Sequence, residues 1–203
     1  MKVKSVLYLH GFNSHPGTFK AQVTRQACAQ VPQPPVFCAP TLSSLPDKAL
    51  HQAQTALMAL PAPTLVIGSS LGGFLALCLA ERFALGAIAL LNPALDPEPL
   101  MAARMGESFD NPITGERVTI TSSALEAMRG IRPSGIRSPQ GVTAWLGSED
   151  DVIDHAQTRR LLVGCTCIEC VGDDHRLSSY PEHVADVLAL GGLILPAALA
   201  VRH

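Results

Sequence analysis

The chain has 203 residues, enough for one well-packed domain and short for two. Hydrophobic residues make up 47% of it and charged ones 16%, which argues against disorder and for a compact enzyme with a sheet buried on both faces. A net charge of -2 and an aromatic content of 4% leave no basic stripe for phosphate backbones and few platforms for stacking bases, so nucleic acid is not an expected partner.

In chain order, Val3 to Leu9 reads as a buried strand that ends at His10-Gly11-Phe12-Asn13-Ser14. That run is too short for a secretory leader, and reduced thiols in the cytoplasm are the expectation. Thr18 to Gln30 carries helical spacing, Val36 to Ala39 is a short strand, and Pro46 to Leu60 is again helical. Thr64 to Ile67 is a strand that passes through Gly68-Ser69-Ser70-Leu71-Gly72 into a helix from Leu71 to Phe83. Ala87 to Leu91 is the next strand.

From Asn92 to Gly141 the rhythm breaks at Pro93, Pro97, Pro99, Pro112, Pro133 and Pro139. This loop-rich insertion contains a turn signal at Asn111-Pro112-Ile113-Thr114-Gly115 and a candidate hairpin arm from Glu116 to Thr121. Leu95, Leu100, Met101, Met105, Phe109 and Ile113 have few core positions to fill, so the sharper reading is a small lid or pocket wall over Ser70. Strand Val142 to Leu146, helix Asp154 to Val163, buried strand Thr166 to Val171 and helix Pro181 to Leu190 follow. Such alternation predicts a mostly parallel six-stranded sheet with helices on both faces, a three-layer α/β/α domain over residues 1–203. The stretch Gly191 to Val201 is apolar but interrupted by Pro196 and shorter than a membrane span; a packed or frayed tail and no membrane span are expected, with weak membrane-surface contact as the alternative.

Ser70 sits where a strand gives way to a helix, the setting of a nucleophile elbow. A serine hydroxyl is a weak nucleophile, so its Oγ must stand clear of the backbone, next to a base and beside N-H groups that hold an oxyanion. A tight turn achieves this by forcing a positive φ on Ser70, with Gly68 and Gly72 lacking side chains where strand and helix nearly touch. The base and its carboxylate should lie on loops after later strands. Gly147-Ser148-Glu149-Asp150-Asp151-Val152 supplies the acid: Asp150 is preferred because a glycine turn at Gly147 brings it back over the sheet, with Val152 packing beneath and Asp151 the nearest competitor. Gly172-Asp173-Asp174-His175 supplies the base, His175. Glu149, Asp154, Asp173 and Asp174 read as solvated or capping groups, and His15, His51, His155, His183 and His203 have no comparable placement. For the oxyanion, the N-H groups of Leu71 and Phe12 are the candidates, with Gly11 permitting close approach and His10 shaping the loop.

Cys165-x-Cys167-x-x-Cys170 followed by His175 looks like a metal cluster, but alternate residues of a strand point to opposite faces and do not converge. No metal is expected.

Together, His10-Gly11-Phe12-Asn13-Ser14, Gly68-Ser69-Ser70-Leu71-Gly72-Gly73, Asn92-Pro93-Ala94, Asn111-Pro112-x-Thr114-Gly115 and Asp174-His175 resemble the YqiA/YcfP-like esterases, small bacterial α/β-hydrolases, from about Val3 to Leu190. The resemblance implies a minimal hydrolase fold without a large cap, acting as a carboxylesterase or acyl thioesterase through Ser70, Asp150 and His175 and needing no cofactor. The partner is then a small acyl ester or thioester. A departure stands at Asp173-Asp174, where smaller or amide residues are usual; the extra negative charge is expected to favour the imidazolium or to repel acidic substrates. Competing readings are a peptidase or lactonase with the same triad, and a non-catalytic binding module. A flavodoxin-like phosphate binder would need a cradle after the first strand, where this chain has a single glycine.

Overall fold

Every residue of Ser5–Leu9 (β1), Thr64–Ser69 (β3), Ala87–Leu91 (β4) and Val142–Gly147 (β7) is buried, so these strands have no solvent face and their apolar runs are continuous. With Val36–Cys38 (β2) and Thr166–Cys170 (β8) at the edges they form a six-stranded parallel sheet in the order β2-β1-β3-β4-β7-β8. The computed structural model describes residues 2–111 and 113–196. The C-terminal part of the expected apolar tail, residues 197–201, lies outside them, as does Pro112 of the turn signal.

Alternation along each strand sends side chains to two separate cores. Val6, Tyr8, Leu65 and Ile67 pack with helices Phe19–Gln30 (α1) and Tyr180–Ala189 (α7). Leu7, Leu9, Val66 and Leu90 face the other way, under Pro46–Met58 (α2) and Leu71–Arg82 (α3). The result is the three-layer α/β-hydrolase sandwich. Helix α1 carries the chain from β1 out to β2, and α2 carries it back past β1 to β3. The strand order therefore reverses at β1, and the crevice that opens beyond the carboxyl ends of β1 and β3 is where such a sheet binds its ligand.

Two sequence expectations change. Strand β8 is a half-exposed edge rather than a buried strand: Thr166 and Glu169 face solvent because no further strand covers that side. The segment from Asn92 to Gly141 is also more regular than its prolines imply. It holds the short helix Glu98–Ala102 (α4), an antiparallel hairpin of Ser108–Asp110 (β5) and Arg117–Thr119 (β6), and helix Ser122–Ile131 (α5). The Thr121 hydroxyl caps α5 by accepting the Ala124 N-H at 3.2 Å, and Leu125 and Met128 then enter the core shared with α2 and α3. Leu95 is buried there too, so the insertion fills core positions that were not expected of it.

Helix His155–Leu161 (α6) links β7 to β8 and is capped by Asp154, whose carboxylate accepts the Ala156 and Gln157 N-H groups at 2.8 and 3.3 Å. All six cysteines are free. Among the described residues no helix is long and apolar enough to cross a membrane.

Candidate active site

Three backbones crowd together around Ser70. A Cβ on Gly68 would strike the Gly72 carbonyl in α3, and one on Gly72 would strike the Leu9 carbonyl of β1. The second clash is with a neighbouring strand, not with the strand that precedes the helix, so β1 shares in tightening the turn. Within it Ser70 adopts φ 52 and ψ -120, a region that costs a non-glycine residue about 1–3 kcal/mol. Its N-H donates to Leu91 O at 3.0 Å and its carbonyl accepts from Gly73 and Ala94 N-H at 2.9 and 3.0 Å, which fixes the strained residue from both sides.

Leu71 opens α3, so its N-H has no acceptor within the helix. The loop after β1 passes beside the serine: a Cβ on Gly11 would lie 3.2 Å from Ser70 Cβ and 3.6 Å from its Oγ. Phe12 comes next and packs edge-on against Phe109 of the β5–β6 hairpin, with ring centroids 5.1 Å apart. At the hairpin tip Asn111 accepts the Ile113 and Thr114 N-H groups at 3.0 Å and donates to Ser14 O at 3.1 Å, so the hairpin clasps this loop. His10 is buried and fully engaged. Its Nδ1-H donates to Gly11 O at 2.9 Å and its Nε2 accepts the Leu42 N-H at 3.2 Å, which defines a neutral tautomer. Burial pushes its pKa down, and the ring has no lone pair left for Ser70.

His175 Nε2 lies 3.1 Å from Ser70 Oγ, and His175 Nδ1 lies 2.9 Å from Asp150 Oδ2. The Asp150 side chain has no exposed surface. Its Oδ1 accepts the Val152 and Ile153 N-H groups, each at 2.9 Å. This turn rolls Val152 outward, to 47% exposure at the cleft, and it is Ile153 that packs beneath. Gly147 opens the expected turn, its carbonyl accepting the Asp150 N-H at 3.4 Å, and it has a second role. A Cβ there would strike the Asp173 carbonyl, so the glycine lets the end of β7 lie directly against the His175 loop. Glu149 and Asp151 are exposed, while Asp173 is buried and accepts from Ser179 N-H at 3.1 Å and from its hydroxyl, holding the start of α7.

Two residues with no assigned role in the sequence complete the cluster. Asn92, buried at φ 42 just beyond β4, donates to the carbonyls of Asp174 and His175 at 2.9 and 3.2 Å and accepts the Gly147 N-H at 2.7 Å. It ties the ends of β4 and β7 to the His175 loop. The signal was a polar residue closing an apolar strand. His155 Nε2 lies 3.1 Å from Asp150 Oδ2 and 3.2 Å from Asn92 Oδ1. Its signal was its place in the first turn of α6, which the Asp154 cap aims at the Asp150 loop. Burial works to raise the Asp150 pKa, but hydrogen bonds from His155, His175 and the Ile153 N-H outweigh it and hold the carboxyl well below the usual range.

A cleft of about 900 Å³ opens above Ser70. Leu100, Met101 and Phe109 form part of its wall, whereas Met105 and Ile113, 48% and 59% exposed, stay outside it. Burial pushes the Cys28 and Cys78 thiols up to about 12, so neither is a competing nucleophile at neutral pH. Among the described residues one trio, Cys170, Asp173 and His183, brings potential metal ligands within 4.8 Å of one another. Both Asp173 oxygens are taken up by Ser179, and Cys165, Cys167 and His175 do not join the trio.

The arrangement sets a hydroxyl against an imidazole whose far nitrogen faces a carboxylate. The profile of the uncharacterised protein family UPF0227 matches residues 5–192. Among solved structures, α/β hydrolase domain-containing protein 10 from mouse superposes with a TM-score of 0.73 at 16% identity, covering 95% of this chain and 91% of that one. Est1E from Butyrivibrio proteoclasticus with ferulic acid bound gives 0.65 at 15% identity over 94% and 88% of the two chains. A monoacylglycerol lipase from Paleococcus ferrophilus gives 0.64 at 16% over 92% and 94%. At these identities the likeness establishes the fold.

Proposed function

This chain belongs to the uncharacterised protein family UPF0227, the YqiA/YcfP family, and on that premise we propose that it is a serine hydrolase cleaving short- to medium-chain carboxylic esters or acyl thioesters through an acyl-enzyme. The observation that carries the reading is the chain of contacts from Ser70 Oγ through His175 to Asp150, at 3.1 and 2.9 Å, built on a serine held at positive φ. The whole chain, residues 1–203, is taken as one hydrolase domain, with 92–141 supplying a wall of the acyl site.

Ser70 Oγ attacks the carbonyl carbon while His175 Nε2 takes its proton. Asp150 holds the Nδ1-H tautomer and stabilises the imidazolium that forms. The N-H groups of Leu71 and Phe12 receive the oxyanion; in such sites one donor is worth about 3 kcal/mol. His175 then returns the proton to the departing alcohol or thiol. Water, deprotonated by the same imidazole, releases the acid from Ser70. The cleft of about 900 Å³ and its Leu100, Met101 and Phe109 wall support a modest acyl group. An ester substrate is in keeping with the monoacylglycerol lipase that shares the fold.

The test is turnover of p-nitrophenyl butyrate and of a butyryl thioester. Wild type is expected to hydrolyse at least one of them, and Ser70→Ala to lose at least about 10³-fold in kcat. Undiminished turnover in Ser70→Ala contradicts the reading.

A further inference from the structure

The charged side chains lining the cleft are Lys20, Arg104 and Arg176; no aspartate or glutamate is among them, although the chain as a whole carries a net charge of -2. Arg104 has partners of its own. It lies 3.7 Å from Glu107 and stacks over Phe109 at 5.6 Å. Lys20 and Arg176 differ, since among the described residues neither has a carboxylate oxygen within 4.0 Å. They are also joined: Lys20 Nζ donates to the Arg176 carbonyl at 2.8 Å, which pins the ammonium beside the residue that follows His175. One of its three N-H bonds is used there, leaving two.

Burial lowers the Lys20 pKa to about 8, against the partial support of Asp150, Asp174 and Asp173. Lys20 is half-buried, and an ammonium partly withdrawn from water without a close counterion gains from a negative charge brought to it. The acidic pair Asp173-Asp174 supports that charge only from a distance. Asp173 is committed to Ser179, Asp174 accepts the Arg176 N-H at 2.8 Å, and neither lines the cleft.

We infer that the cleft is built for acyl substrates that carry an anionic group, a carboxylate or a phosphate, received by Lys20 and Arg176 while the scissile carbonyl sits at Ser70. The inference rests on the serine-hydrolase reading and narrows it. The anion can belong to the acyl part, as in a half-ester of a dicarboxylic acid, or to the leaving group, as in an acyl-coenzyme A thioester.

The experiment compares kcat/KM within two matched pairs: mono-4-nitrophenyl glutarate against its methyl ester, and butyryl-coenzyme A against S-butyryl-N-acetylcysteamine. Each is measured for wild type, Lys20→Met, Lys20→Arg and Arg176→Gln. Wild type should favour the charged member of at least one pair by about tenfold or more. Lys20→Met should remove most of that preference, Arg176→Gln should reduce it and Lys20→Arg should keep it. Preference confined to the glutarate pair places the anion on the acyl side, and preference confined to the coenzyme A pair places it on the leaving group. Each value is a ratio within one variant, so it does not depend on how much of that variant folds. Equal rates within both pairs for wild type, or a ratio unmoved in Lys20→Met, overturn the inference. A failure of the serine-hydrolase reading is distinguishable, because a fluorophosphonate would then leave wild-type Ser70 unmodified.

Discussion

His155 Nε2 lies 3.1 Å from Asp150 Oδ2, the same carboxylate oxygen that His175 Nδ1 faces at 2.9 Å. Two imidazoles thus meet on one oxygen of a buried carboxylate, and only one of them reaches Ser70. His155 is a positioning residue in this account, since it fixes Asp150 and touches no reacting atom. His155→Phe keeps a flat ring but removes the donor, and a hydrogen bond to a charged group is worth about 1.5–3 kcal/mol. Turnover should fall about tenfold or more with little change in KM. His155→Gln can return an N-H to the same oxygen and should recover much of the loss, a rescue that a packing role alone would not produce.

Asp150→Asn presents an amide where two imidazole N-H groups now find an anion. The wrong tautomer of His175 is then favoured, and turnover should drop by about 10⁴-fold. Asp151 is exposed, and Asp151→Asn should stay within about twofold of wild type. A larger loss at Asp151 contradicts the assignment of the acid.

The same carboxylate carries a pH signature. Its folded pKa lies below the unfolded value, so the unfolded chain binds the extra proton first, and the stabilisation is present above about pH 4 and lost as pH falls below it. Urea denaturation of wild type between about pH 5 and 2.5 should show stability declining more steeply than in Asp150→Asn. Parallel declines would mean that Asp150 is not held in its charged form by the fold.

At Ser70 the backbone strain can be read by comparing two variants that both lack the hydroxyl. Glycine adopts φ 52 freely and alanine does not, so Ser70→Gly should be more stable than Ser70→Ala by about 1 kcal/mol despite glycine's greater unfolded-state entropy. Chemical denaturation of the two proteins measures the difference, and a more stable Ser70→Ala would show that the turn is relaxed.

Met101 and Met105 separate the pocket wall from the surface. Met101 is 7% exposed and lines the cleft, while Met105 is 48% exposed and does not. Met101→Ala should cost about 2 kcal/mol and shift the ranking of acetyl, butyryl and octanoyl esters toward longer chains. Met105→Ala should leave both unchanged. An unaltered ranking in Met101→Ala would show that the methionine only pins the insertion to the core.

The strands and the helices between them were legible because a parallel sheet buried on both faces needs uninterrupted apolar runs, as Ala87–Leu91 shows. Helix α5 was less so. Pro112, Pro133 and Pro139 around it suggested loops, although Thr121 followed by Ala124, Leu125 and Met128 has the cap and the spacing of a helix. In the site, Ser70, Asp150 and His175 stood out because each residue type follows the end of a strand. Asn92 and His155 did not, because their importance comes from a meeting of β4, β7, α6 and the His175 loop that local pattern does not encode. Val152 was misjudged for a similar reason: which of two adjacent apolar residues turns inward depends on the two N-H groups that Asp150 Oδ1 collects.

Reaction with a fluorophosphonate, followed by mass mapping of the modified peptide, decides whether Ser70 is the nucleophile, since only a serine activated by its neighbours attacks the reagent. One adduct is expected, on Ser70, greatly slowed in Asp150→Asn and absent in Ser70→Ala. An adduct on Ser69 or Ser148, or no adduct on Ser70 in a folded protein that still hydrolyses esters, would contradict it.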